Sequence, residues 1–82
     1  MVLDIITPDK KLFEGEITLV KVPGTDGSFE MMNNHAPIVS SLSKGEIKII
    51  PVDGDEIFIN ISGGLVELNN NKVSILVESV ID

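Results

Sequence analysis

Apolar and polar residues alternate with period two along most of this chain. Ile57, Ile59 and Ile61 are separated by Phe58 and Asn60, and Val73, Ile75 and Val77 by Ser74 and Leu76. Ile47 and Ile49 flank Lys48, while Val66 and Leu68 flank Glu67. A two-residue repeat puts alternate side chains on opposite faces of an extended strand, and the branched residues that dominate here favour that conformation. Turn signals stand between the runs: Pro8-Asp9-Lys10, Gly24-Thr25-Asp26-Gly27, Ser43-Lys44-Gly45, Asp53-Gly54, Gly63-Gly64 and Asn69-Asn70-Asn71. The Asp53-Gly54 pair predicts a tight hairpin with both central residues at positive φ. Strands are therefore expected near residues 2–7, 12–22, 27–32, 38–42, 45–51, 55–62, 64–69 and 72–79. No stretch of helical period reaches a normal helix length, so the fold class is all-β, a sandwich or barrel.

Two irregularities refine this picture. Between residues 12 and 22, Phe13, Ile17 and Leu19 take one face but Val20 and Val22 the other, which a bulge near Gly15 or Thr18 reconciles. Several strands also carry apolar residues on both faces: Ile6 beside Ile5, Ile50 beside Ile49, Phe58 between Ile57 and Ile59, and Leu76 between Ile75 and Val77. A two-layer sandwich buries one face of each sheet, so those side chains either close the sides of the barrel or form an outer patch for a partner.

Length and charge narrow the function. The 82 residues make one domain, 1–82, small enough to bury only about 60 % of its unfolded surface and so to be of marginal stability by itself. With no cysteine and a single histidine, disulfides and thiolate or imidazole metal sites are not expected, which leaves a partner as the support. Thirteen acids against six lysines, and no arginine, give a net charge of −7. That balance argues against nucleic acid, which needs cations for its phosphates, and against direct contact with an anionic membrane. The N-terminal segment lacks the basic-then-apolar order of a secretory signal, and no apolar run approaches the roughly 20 residues of a span.

Candidate chemistry is sparse. Asp26, Ser28 and His35 are close in sequence, but nothing resembles a nucleophile elbow, and a loop histidine bonded to backbone or facing a partner is the plainer reading. The glycines from Gly24 to Gly27 lack the Gly-Lys-Ser/Thr of a phosphate loop. Asp53, Asp55 and Glu56 do not follow calcium-loop spacing. Met31 and Met32 are read first as core plugs. A swinging-arm carrier of lipoyl or biotinyl type, also a small acidic β-sandwich, would present a modifiable lysine at a hairpin tip, and only Lys72 qualifies by position, without the usual flanking residues.

The segment Val22-Pro23-Gly24-Thr25-Asp26-Gly27-Ser28-Phe29, continuing through His35-Ala36-Pro37-Ile38, resembles the signature of the epsilon subunit of F-type ATP synthases (delta in mitochondria). Leu3-Asp4-Ile5-Ile6-Thr7-Pro8 with Phe13-Glu14-Gly15, Gly45-Glu46-Ile47-Lys48-Ile49, and Ser62-Gly63-Gly64-Leu65-Val66-Glu67 agree with the same family in order, over nearly the whole chain. The resemblance implies a flattened β-barrel or sandwich of about ten short strands in the rotor's central stalk, with no catalytic residue, metal or cofactor. It implies contact with the c ring through Asp26, Gly27, Ser28 and Glu30, and with the gamma subunit through Thr7, His35, Ala36, Pro37, Ile38 and Ser40. It places the domain peripherally at the cytoplasmic face of a bacterial plasma membrane, reached only through the ring. Two departures stand out. The family's C-terminal helical hairpin has no counterpart by Asp82, so its inhibitory and nucleotide-binding properties are not carried over. Asn33-Asn34 also replaces the usual Pro-Gly before the histidine, a change the left-handed tolerance of Asn allows.

Overall fold

In the computed structural model, which describes residues 1–81, the alternating runs form eight strands. They are β1 (Val2–Ile6), β2 (Lys11–Gly24), β3 (Gly27–Met32), β4 (Ile38–Leu42), β5 (Gly45–Pro51), β6 (Ile57–Ile61), β7 (Gly64–Asn69) and β8 (Lys72–Val77). The sheet runs β1-β8-β7-β4-β2-β5-β6, with β3 on β2 and β1 also pairing with β2. The 14-residue β2 bridges two layers. Its first half, up to Glu16, pairs with β1, and its second half lies between β3 and β5. One layer is then β1-β8-β7-β4 and the other β3-β2-β5-β6. An isolated bridge between Ile61 and Val80 ties the far side, giving a flattened body of 28 × 27 × 19 Å.

The eight strands agree in number with the alternating runs and fall short of the about ten that the resemblance implies, because β2 does the work of two and the Ile61–Val80 contact is a single bridge. Two bulges let β2 turn the corner. Ile17 pairs with Pro51 and Leu19 with Ile50, so Thr18 is the extra residue, and its Oγ1 donates to Ile50 O at 3.1 Å. Ile5 pairs with Phe13 and Ile6 with Lys11, which leaves Leu12 unpaired. The Thr18 bulge flips the side-chain parity, so Ile17, Val20 and Val22 all point inward. They join Leu3, Ile5, Met31, Ile47, Ile49, Ile61, Val66, Leu68, Val73, Ile75 and Val77 in one core with no buried polar side chain among the described residues. Each such aliphatic contributes about 1.5–3 kcal/mol relative to exposure.

Turn chemistry differs from the expectation at Asp53-Gly54. Only Gly54 has positive φ (125°), and residues 52–56 form a longer connection. The cause is that β5 goes on pairing with β2 past the start of β6, with Val52 N donating to Glu16 O at 3.1 Å. The tight hairpin with two left-handed residues lies instead at β7–β8. Asn70 (φ 51°) and Asn71 (φ 60°) sit between the paired Asn69 and Lys72.

Candidate partner-binding surfaces

The β2–β3 hairpin carries the residues expected to face the c ring. Gly24 pairs with Gly27 around the two-residue tip Thr25-Asp26, and Gly27 takes the positive φ (124°). Gly24 has no room for a side chain, since a Cβ there would lie 2.7 Å from Gly27 O and 2.8 Å from the Phe29 ring. Backbone bonds from Thr25 N to Ser41 O (3.1 Å) and from Ser43 N to Pro23 O (2.8 Å) hold the hairpin against the end of β4. Asp26, Gly27, Ser28 and Glu30 are all exposed, with Ser28 and Glu30 on the outer face of β3. The surroundings are not uniformly acidic. Glu30 is opposite Lys21, Lys21 is opposite Lys48, and Lys21, Lys44 and Lys48 line a cleft of about 520 Å³ beside the tip. Glu56 pairs with Lys48 at 3.3 Å. These three lysines were not singled out from the sequence. The sign that could have found them is their place at polar positions near turns or on outward faces, hidden within a net charge of −7.

The residues expected to meet gamma border one broad face, but they do not form a cluster. Thr7 stands just after β1, where its hydroxyl organises the turn: Oγ1 accepts from Asp9 N (3.2 Å) and Lys10 N (3.1 Å). His35, Ala36 and Pro37 are exposed in the β3–β4 connection, at the opposite end of that face. A small amide network fixes this connection. Asn34 has φ 67°, and its N–H donates to Asn71 Oδ1 at 3.0 Å. The side-chain oxygen of Asn33 accepts from the Met1 ammonium (2.8 Å) and from Asn71 Nδ2 (3.2 Å). His35 Nδ1 donates to Ala36 O at 2.7 Å. On β4, Ile38 and Ser40 are half-buried and share the inward parity of Leu42, whereas Val39 is 66 % exposed on the outside. Among the described residues, the edge of β4 away from β7 has no strand partner from Ile38 to Ser40, because β2 reaches it only at Gly24–Leu42.

Between those two ends lies the outer face of β1-β8-β7. Register places Ile6, Leu76 and Leu65 in one cross-strand row and Asp4, Ser74 and Glu67 in the next. Ile6, Leu76 and Leu65 are 38 %, 49 % and 44 % exposed, so part of the surplus apolar surface is outward after all. Ile50, Ile57 and Ile59 are half-buried instead, and Ile57 and Ile59 pack on the core. Phe58 is exposed on the other layer, beside Leu12 and Val80, so the apolar surface divides into two patches. At the edge of the first face Lys11 donates to Glu14 at 2.9 Å and lies 3.9 Å from Asp4. The Glu14 hydrogen bond and charge, aided by Asp4, raise its pKa above the usual lysine value against a small opposing effect of burial.

Catalytic and carrier arrangements find no support in this geometry. Ser28 lies near the start of β3 and His35 beyond its end, with a strand segment of about 13 Å from Ser28 to Met32 between them. Lys72 is the first residue of β8, paired with Asn69 rather than projecting from the turn. No group of three or more acidic or histidine side chains among the described residues is arranged to hold a metal ion.

Comparison with known proteins agrees with this architecture. Residues 1–82 match the family described as ATP synthase, Delta/Epsilon chain, beta-sandwich domain. The chain is 42 % identical over 78 residues to the ATP synthase epsilon chain of Chlorobium limicola, covering 95 % of this chain and 89 % of that protein. It is 40 % identical over 79 residues to that of Maridesulfovibrio salexigens, covering 95 % of this chain and 54 % of that protein. A chain of the Euglena gracilis mitochondrial ATP synthase superposes with a TM-score of 0.90 at 19 % identity, over 99 % of this chain and 52 % of that one, a likeness of fold. The chain thus spans most of some relatives and about half of others. With the whole of its length matched and its strands closed into the same sandwich, the chain belongs to the family of ATP synthase delta/epsilon β-sandwich domains.

Proposed function

We propose that this domain is a non-catalytic subunit of the rotor of an F-type ATP synthase, coupling rotation of the c ring to the gamma subunit at the central stalk. The observation that carries the reading is the family match along residues 1–82. In this reading the exposed hairpin of Asp26, Gly27, Ser28 and Glu30 meets the ring. Thr7, His35, Ala36 and Pro37 border the surface that meets gamma, with Ile38 and Ser40 contributing through the unpaired backbone edge of β4. The work is mechanical. A closed sheet with short turns and an aliphatic core resists local opening, which suits a part that passes torque from one partner to another. The domain sits with a membrane-bound complex through the ring, and we assign it to the cytoplasmic face of a bacterial plasma membrane. Co-purification with gamma and the c ring from the same source tests the reading. A stable three-component complex is the expected result, and failure to bind gamma and the ring together overturns it.

A further inference from the structure

The outer face of β1-β8-β7 has a chemistry that its place between two proposed contact ends does not by itself require. A hollow of about 180 Å³ is lined by Asp4, Ile6, Leu65, Glu67, Ser74 and Leu76. Its floor is two adjacent cross-strand rows. The aliphatic row is Ile6–Leu76–Leu65, and the polar row is Asp4–Ser74–Glu67, with the small serine between the two acids. Neighbouring strands are about 4.8 Å apart, so the backbones bearing Asp4 and Glu67 are about 10 Å apart across Ser74. The longer Glu67 and the shorter Asp4 therefore present their carboxylates from the two sides of that serine. Glu67 makes no ion pair or side-chain hydrogen bond among the described residues, and Asp4 Oδ1 is an enclosed oxygen with no hydrogen-bond partner. Two cations of the chain lie near: Lys11, 3.9 Å from Asp4, gives its hydrogen bond to Glu14, and Lys72, in the next row beside Glu67 and Ser74, makes no ion pair among the described residues.

We propose that this hollow receives an arginine side chain of the gamma subunit, its aliphatic stem on Ile6, Leu65 and Leu76 and its guanidinium between the carboxylates of Asp4 and Glu67. The inference rests on the central-stalk reading and names the chemistry of one contact within it. A long side chain with an apolar stem and a cationic head matches one apolar row beside one acidic row. Arginine fits better than lysine because a planar fork with five donors can address two carboxylates at once and is less strongly hydrated than an ammonium. Burial under the partner would remove water from the pair, which gives the contact more weight than an exposed ion pair has.

The test is binding of purified gamma to the chain and to the variants Glu67→Gln and Asp4→Asn/Glu67→Gln, at several salt concentrations, with thermal melting as the check on folding. Glu67→Gln keeps the side-chain shape and breaks no ion pair or side-chain hydrogen bond among the described residues, so it remains informative even if the double variant is destabilised. The expected result is about a tenfold loss of affinity for the single variant, with a flatter salt dependence. One gamma arginine should also be shielded from phenylglyoxal by the wild-type chain and not by the double variant. Affinity of Glu67→Gln within about twofold of wild type overturns the proposal while leaving the stalk reading intact. Shielding of a gamma lysine in place of an arginine, or self-association of the isolated chain that the substitutions abolish, also overturns it. A wild-type chain that ignores gamma overturns both.

Discussion

Asparagine does unusual work in this chain at the level of single residues. Asn34, Asn70 and Asn71 each hold a left-handed backbone, and Asn33 and Asn71 also supply the amides that join the N-terminus, the β3–β4 connection and the β7–β8 turn. The left-handed conformation costs most residues roughly 1–2 kcal/mol, and Asn less. Asn70 makes no side-chain hydrogen bond among the described residues, so Asn70→Ala isolates that backbone cost. We expect a loss of about 1 kcal/mol in chemical denaturation, with the β-type circular dichroism unchanged. Asp26 and Glu30 are a different case, exposed and in no ion pair among the described residues. The double change Asp26→Lys/Glu30→Lys should leave the melting temperature nearly unaltered and weaken docking on the c ring. Because each exposed pair is worth about 0–1 kcal/mol, the effect should be several-fold and should fade at high salt. Unchanged docking at low salt would count against an electrostatic role for the hairpin. Lys21, beside Glu30, already moderates that acidity from within the domain.

At the scale of elements, β2 decides the architecture. An unbroken 14-residue strand with strict alternation would present Leu19 rather than Val20 to the core, and it could not serve both layers. The parity break was visible in the sequence as Ile17 and Leu19 set against Val20 and Val22, and the bulge falls at Thr18, one of the two expected positions. The expectation for Asp53-Gly54 failed because the turn rule considers only the two strands being joined. Here a third strand, β2, holds the end of β5, and Val52 N is committed to Glu16 O. Met31 and Met32 show the same dependence on parity. The first is fully buried as expected, while the second is 53 % exposed on the outer face of β3.

The whole molecule separates two apolar surfaces that looked like one from the chain. Ile6, Leu65 and Leu76 lie on the β1-β8-β7 face, bordered by Thr7 at one end and the His35 connection at the other. Phe58 projects from the opposite layer. Leu76→Asp should therefore greatly reduce gamma binding while the domain stays folded, since Leu76 is 49 % exposed. Phe58→Asp, whose side chain is 54 % exposed, should also fold and should bind gamma nearly as well as wild type. Measuring affinity alongside circular dichroism for the pair checks the assignment, and a reversed order would place gamma on the other layer.

Period-two patterning alone determined that this chain is an all-β domain, where most of its strands run and which face of each cleanly alternating strand enters the core, because alternation is a local property and burial of the apolar face follows from it. The acidic, cysteine-free composition likewise pointed to a protein partner before any fold was known. Tertiary structure alone decided which outward residues become neighbours. Asp4 and Glu67 are 63 positions apart in sequence and share a row only because β8 lies between β1 and β7. Lys21 came opposite Lys48 for the same reason: surface chemistry depends on strand order and register, which arise from long-range pairing that no local pattern records.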